Sequence, residues 1–248
     1  MRRIHVPTAA AGRIALDPAA AHHLRDVLRL SAGAEVEVFD DAGAVARGVI
    51  SRCTSREVVI DVAKVEARAS AGFQWIVASA VPKGPRADWM IEKLGELGAS
   101  AFVPLATARS VVHPSTGKLQ RWMRLASESA SQSRRSGVMR IEPLTAAADF
   151  VRALSSPAWV LSTAPGATPA FEAIQHLRQD PPPRLALLIG PEGDWTDDER
   201  SAFAAAGLTE ISLGTTILRV ETAAVAAAAI VAAMLVPAAA PDTKERNA

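Results

Sequence analysis

A small β-rich unit followed by an α/β domain built on a parallel sheet is the fold class predicted by this 248-residue sequence. Three observations predict it. Residues 36–39, 45–50 and 58–65 are short β-branched runs, two of them alternating apolar and polar positions. From residue 73 onward, apolar runs of strand length alternate with segments of helical period, the pattern of a parallel sheet covered on both faces. Three of the later apolar runs end in loops of small residues, and ligands of parallel sheets bind at such strand ends.

Taken in order, the first helix is expected after Asp17, which can cap it, with Pro18 in its first turn and Leu24, Val27 and Leu28 on one face. Asp40-Asp41-Ala42-Gly43 reads as the turn of a hairpin. These elements make a small barrel with one helix over residues 1–70, and residues 67–72 read as a linker. The α/β unit is expected over residues 73–238 and a disordered tail over 239–248. Strands are predicted at 73–81, 101–105, 159–162, 185–189 and 210–213. Helices are predicted at 87–97, with Met90, Leu94 and Leu97 on one face and Gly98 as the stop, and at 118–133. Thr196-Asp197-Asp198-Glu199 is a capping box that opens another helix. The alanine-rich run 223–236 is shorter than the roughly 20 residues a membrane span needs, so it reads as a buried helix.

Composition narrows the class further. With 49% hydrophobic and 21% charged residues the chain has enough apolar surface to fold. The single cysteine, Cys53, excludes an internal disulfide and a thiolate zinc cluster. Met1-Arg2-Arg3-Ile4-His5 has no apolar run behind its charges, so no signal peptide is expected, and the protein is expected in the cytoplasm. Net charge is +1, but residues 109–140 hold seven cations (Arg109, Lys118, Arg121, Arg124, Arg134, Arg135, Arg140) against one carboxylate, Glu128. Such a cluster is either a solvated helix face or a surface for an anionic partner.

The loops carry the chemistry. Residues 159–162 run into Thr163-Ala164-Pro165-Gly166, 187–189 into Gly190-Pro191-Glu192-Gly193-Asp194, and 211–213 into Gly214-Thr215-Thr216-Ile217-Leu218-Arg219-Val220-Glu221-Thr222. One glycine loop is ordinarily just a tight turn, but three together suggest a ligand lying against backbone. No glycine-rich dinucleotide loop follows the strand at residue 73. There is no Walker lysine, no nucleophile elbow, and no metal spacing among the five histidines. A small organic cofactor and a positioned substrate remain, with no metal expected.

Residues 188–193 with Leu213-Gly214 and residues 217–223 (Ile-Leu-Arg-Val-Glu-Thr-Ala) resemble the SPOUT methyltransferases. Residues 23–29 with Gly33, 83–98 and 132–135 extend the resemblance, over nearly the whole chain, to the ribosomal RNA small subunit methyltransferase E family. The resemblance implies a PUA-like RNA-binding barrel, a SPOUT domain closed by a deep trefoil knot, and a homodimer. It implies methylation of N3 of a uridine in 16S rRNA, within the small ribosomal subunit or its late precursor. S-adenosylmethionine would be held by Leu161, Ser162, Ile189, Gly190, Glu192, Gly193, Leu213, Gly214, Ile217, Leu218, Val220 and Thr222. RNA would be held by Arg25 and Arg29 of the barrel and by Arg109, Arg121, Arg124, Gln132, Arg134 and Arg135. Asp194 stands where a second glycine is usual, and Thr215-Thr216 where Pro-Arg is typical.

Deprotonating uridine N3 builds negative charge on O2 and O4, which a guanidinium would stabilise. Arg219 is the candidate for that role. Its alternatives are an ion pair with Glu221 or a phosphate contact. Glu221 either orients Arg219 or helps take the proton. Two other functions fit the same residues: a knotted RNA-binding protein without catalysis, and a ribose 2′-O-methyltransferase.

Overall fold

The computed structural model describes residues 1–67, 73–135 and 137–235. The predicted linker residues 68–72 and the tail 239–248 lie outside the described residues. β1 (Arg2–His5), β2 (Gly12–Ala15), β3 (Glu35–Phe39), β4 (Ala44–Cys53) and β5 (Val58–Ala67) form a sheet in the order β1-β3-β4-β5-β2. β1 runs parallel to β3, and the other neighbours are antiparallel. β3 and β4 are joined by the expected turn. Asp40 holds it, its buried carboxylate accepting from the amides of Ala42, Ala44 and Ala9 at 2.9–3.0 Å.

Asp17 caps α1 (Pro18–His22), accepting from the amides of Ala19 and Ala20. The helix does not continue at the α-period. Residues His23–Val27 form a π-helical turn, so the expected shared face breaks up: Leu24 is buried, whereas Val27 is 60% exposed. Leu24 and Ala21 close the core of this unit with Ile4, Val36, Val38, Ile50, Val58 and Ile60.

The second unit comprises β6 (Gln74–Ser79), α2 (Pro85–Leu97), β7 (Ala101–Ala106), α3 (Thr116–Gln132), β8 (Arg140–Ile141), β9 (Thr145–Ala146) and α4 (Ala147–Arg152). It continues with β10 (Ala158–Leu161), β11 (Thr168–Pro169), α5 (Ala170–Gln179), β12 (Arg184–Ile189), α6 (Asp197–Ala205), β13 (Thr209–Ser212) and α7 (Val220–Leu235). Every ladder is parallel, in the order β11-β13-β10-β12-β6-β7-β8, with β9 beside β7. Alternation along β12 shows why both faces are covered. Leu185 and Leu187 join the core under α2, α3, α5 and α7, while Ala186 and Leu188 join the one under α4 and α6. The alanine run is α7, whose Ala224, Ala227, Ala228 and Val231 are buried. Among the described residues no helix is long and apolar enough to cross a membrane.

Asp88 couples α2 to α3. Its carboxylate accepts from the Trp122 indole N–H at 2.9 Å, from Arg121 Nε at 2.9 Å and from Lys118 Nζ at 2.7 Å. Burial alone would raise its pKa, but the hydrogen bonds from Lys118, Trp122 and Arg121 outweigh burial and hold the carboxyl below its ordinary value. Asp88→Ala leaves the buried indole N–H without an acceptor and is expected to cost about 2 kcal/mol. Because the folded pKa is depressed, the charge-dependent part of the carboxylate's stabilisation is complete above the unfolded value near pH 4 and disappears as pH falls through the folded value. Urea midpoints of wild type and Asp88→Asn should therefore differ at pH 7 and converge in acid.

Candidate functional site

Because β10, β12 and β13 are parallel neighbours, their carboxyl ends open on one edge of the sheet. Their loops line a cavity of about 380 Å³. Ten of the twelve residues proposed for the cofactor are in its wall: Leu161, Ser162, Ile189, Gly190, Glu192, Leu213, Gly214, Ile217, Leu218 and Val220. Gly193 and Thr222 are not. Gly193 turns its carbonyl to Arg109, accepting from Nη1 at 2.6 Å, and Thr222 is on the exposed side of α7. Thr163, Pro191, Asp194, Trp195, Ile211, Thr216, Arg219 and Ala223 complete the wall. Among these the sequence marked Asp194 and Thr216 only as departures from a pattern. Trp195 carries a signal of its own, an aromatic residue directly after a glycine loop.

Gly190 is needed for a reason the sequence did not suggest. A Cβ there would sit 2.9 Å from Trp195 Cε2 and Nε1, so the ring packs against the glycine backbone. Trp195 is buried, stacked edge-on against Phe203 with centroids 4.8 Å apart, and its indole N–H has no acceptor among the described residues. The capping box is present: Thr196 Oγ1 accepts from the Glu199 amide, and Glu199 Oε2 accepts from the Thr196 amide. Glu199 Oε1 also accepts from the Ala108 amide, which docks the loop after β7 on the start of α6.

Arg219 lies in the cavity wall and is exposed, and its guanidinium has no ion-pair partner among the described residues. The proposed pairing with Glu221 is not formed. Arg219 O accepts from the Ala223 amide at 2.8 Å as α7 begins, and residues two apart on a helix face different ways. Glu221 is buried and pairs with Arg86 of α2, Nη1 to Oε1 3.4 Å, while its Oε2 has no partner among the described residues. It is outside the cavity wall. Arg86 is 135 positions away in sequence, and no local pattern announces the pair.

The basic stretch divides by environment. Arg124, Gln132 and Arg134 are exposed, and Arg134 takes a positive φ of 56°. Arg121 and Lys118 are held by Asp88, and Arg109 by Gly193. Arg135 departs from the RNA-facing role. Its Nη1 and Nη2 donate at 3.0 Å to the carbonyls of Gly95 and Gly98 at the end of α2, and burial lowers its pKa to about 10. Such a guanidinium serves the last carbonyls of a helix rather than a phosphate. In the barrel, Arg25 is held by Asp26 and by the Thr54 carbonyl, and Arg29 is exposed with φ 54°.

A parallel sheet with a three-loop cavity at its carboxyl edge, preceded by a small β unit, is the architecture of a two-part ligand-binding protein. Family models agree, matching an RNA methyltransferase PUA domain at residues 16–62 and an RNA methyltransferase domain at 70–232. Ribosomal RNA small subunit methyltransferase E of Synechocystis sp. is 34% identical over 225 residues, 90% of this chain and 73% of that one. Its Bacillus subtilis counterpart is 30% identical, with 82% of each chain covered. A Legionella pneumophila methyltransferase solved with bound SAM is 27% identical, with a TM-score of 0.82 over 93% of this chain and 97% of that one. The chain belongs to the ribosomal RNA small subunit methyltransferase E family.

Proposed function

We propose that this protein transfers a methyl group from S-adenosylmethionine to N3 of a uridine in 16S rRNA, on the small ribosomal subunit or its late precursor in the cytoplasm. The observation that carries this reading is the cavity itself, formed by glycine-containing loops with an unpaired Arg219 in its wall. The loop residues in that wall suit the cofactor: an apolar lining from Leu161, Ile189, Leu213 and Leu218, backbone at Gly190 and Gly214, and carboxylates at Glu192 and at Asp194, the latter held by Arg200. When bound, S-adenosylmethionine supplies an electrophilic methyl group on a sulfonium, and the protein's task is in-line placement of the nucleophile.

Loss of the N3 proton leaves charge on the uracil carbonyl oxygens. In this reading Arg219, in the cavity wall beside the N-terminus of α7, meets that charge, and the helix dipole adds to it. Glu221, buried against Arg86, orients the start of α7 rather than contacting Arg219. Residues 1–70 are read as the RNA-binding barrel and 73–238 as the methyl-transfer unit. In this reading the last segment threads a trefoil knot, as the resemblance to the SPOUT methyltransferases implies. A homodimer fits the exposed Trp89 of α2. Mass spectrometry of 16S rRNA nucleosides from cells lacking the protein tests the reaction. Loss of N3-methyluridine is the expected result, loss of a ribose-methylated nucleoside would redirect it, and no change would overturn it.

Exposed cations make the salt dependence predictable. Arg134→Ala should reduce the slope of log K against log salt by about one unit. Arg135→Ala should leave the slope near wild type but lower Tm by about 4–8 °C, because it strands the carbonyls of Gly95 and Gly98. Filter binding across a salt series, with thermal melts of the same samples, separates the two.

A further inference from the structure

Resting on the methyl-transfer reading, we infer that Arg200 is a positioning residue for the cofactor cavity, tying together the segments that follow β10 and β12. Arg200 is on α6 and is not part of the cavity wall. Its Nη2 donates to Asp194 Oδ2 at 2.7 Å, and its Nη1 lies 3.3 Å from Ser162 Oγ and 3.4 Å from both carboxylate oxygens of Glu210. Ser162 directly follows β10, Asp194 lies in the loop after β12, and Glu210 is within β13. Ser162 and Asp194 both line the cavity.

The β10–β12 ladder ends at Val160 opposite Leu188. Beyond that point the two loops share no backbone hydrogen bond among the described residues, and the Arg200 fork supplies the connection. The Arg200 side chain is 22% exposed, so its geometry is fixed by packing as well as by hydrogen bonds. Asp194 has φ 62°, a conformation unfavourable for a residue with a Cβ. Its Oδ1 accepts from the Trp195 amide at 2.8 Å while Oδ2 meets Arg200, so the side chain supports the backbone turn that a glycine would adopt unaided. A planar fork presents donors to two loops in one fixed geometry, which a compact ammonium on a flexible stem does not.

The test is calorimetric titration of the full chain with S-adenosylmethionine and with S-adenosylhomocysteine, in wild type, Arg200→Ala, Arg200→Lys and Asp194→Gly, alongside amide hydrogen exchange without ligand. Arg200→Ala is expected to raise Kd for both ligands about tenfold and to speed exchange at 163–166 and 190–195, since preorganisation is lost. In methyl transfer, the KM for cofactor should rise with Kd while kcat changes less. Arg200→Lys should keep the 190–195 loop protected and release the other. If Arg200→Ala does not fold, Asp194→Gly, which tolerates the same φ, carries the test by releasing one arm of the fork. Wild-type Kd and wild-type exchange in the folded variants overturn the inference alone. A wild-type protein that binds neither ligand overturns the methyl-transfer reading, and the inference with it.

Discussion

Replacing Arg219 by alanine is expected to lower turnover by about 10² or more while S-adenosylmethionine affinity changes little. The side chain is at the wall of the cavity with no carboxylate engaging it among the described residues, so its charge is available to substrate. One donor aimed at developing negative charge in a water-poor site contributes about 3–4 kcal/mol. Lysine should restore part of the rate, because it keeps the charge but loses the planar fork. Single-turnover methyl transfer to small subunits measures the rate, and calorimetry measures the affinity. A near-normal rate for the alanine variant would show that another group meets the charge.

Gly190→Val is expected to abolish cofactor binding, and the structure gives a cause beyond lost access. Even the first carbon of a new side chain would press on Trp195 at 2.9 Å, and that ring is pinned against Phe203. Overpacking against a rigid neighbour costs about 1–3 kcal/mol, and here the strain falls on the loop that shapes the cavity. Gly214 offers the contrast: a Cβ there meets nothing within 4 Å, but its φ of 155° disfavours any other residue. Gly214→Val should therefore weaken binding through the backbone alone. Gly190→Ala should recover part of its affinity when combined with Trp195→Phe, whose smaller ring gives room, whereas Gly214→Ala should not respond to that second change. Titrations of the four proteins check both statements, and unchanged affinity in Gly190→Val and Gly214→Val would move the cofactor elsewhere.

Legibility followed the length scale of each signal. Strands of five or six buried residues, such as β12, and a helix of four turns, such as α3, carry enough periodicity to be read directly. β8, β9 and β11 are two residues long, too short for any period to show, and β1 and β2 each carry a single isoleucine as their only large apolar residue. The π-helical turn at His23–Val27 was hidden because its residues are compatible with an ordinary helix. The cavity was legible because strand ends are local: each loop follows its own apolar run. Pairings were not. Arg134 and Arg135 are alike in sequence, yet the left-handed backbone at Arg134 separates an exposed side chain from a half-buried one held at the end of α2. Glu221 was read beside its chain neighbour Arg219, while its actual partner, Arg86, comes from the far side of the domain in sequence.

Arg135 has a geometric consequence for substrate choice. Its side chain holds the end of α2, and its own carbonyl accepts from Arg3 Nη1 of β1 at 2.6 Å. Arg3 in turn ion-pairs with Glu37 and lies over the Phe39 ring, which packs with Val45 against Ala130 of α3. The two units are thus bolted together at a joint of buried contacts rather than strung on a tether. On the proposed function, an RNA held by the first unit would meet the cavity of the second at one set span, so the pair would work as a caliper. A base would then be admitted by its distance and bearing from the held backbone.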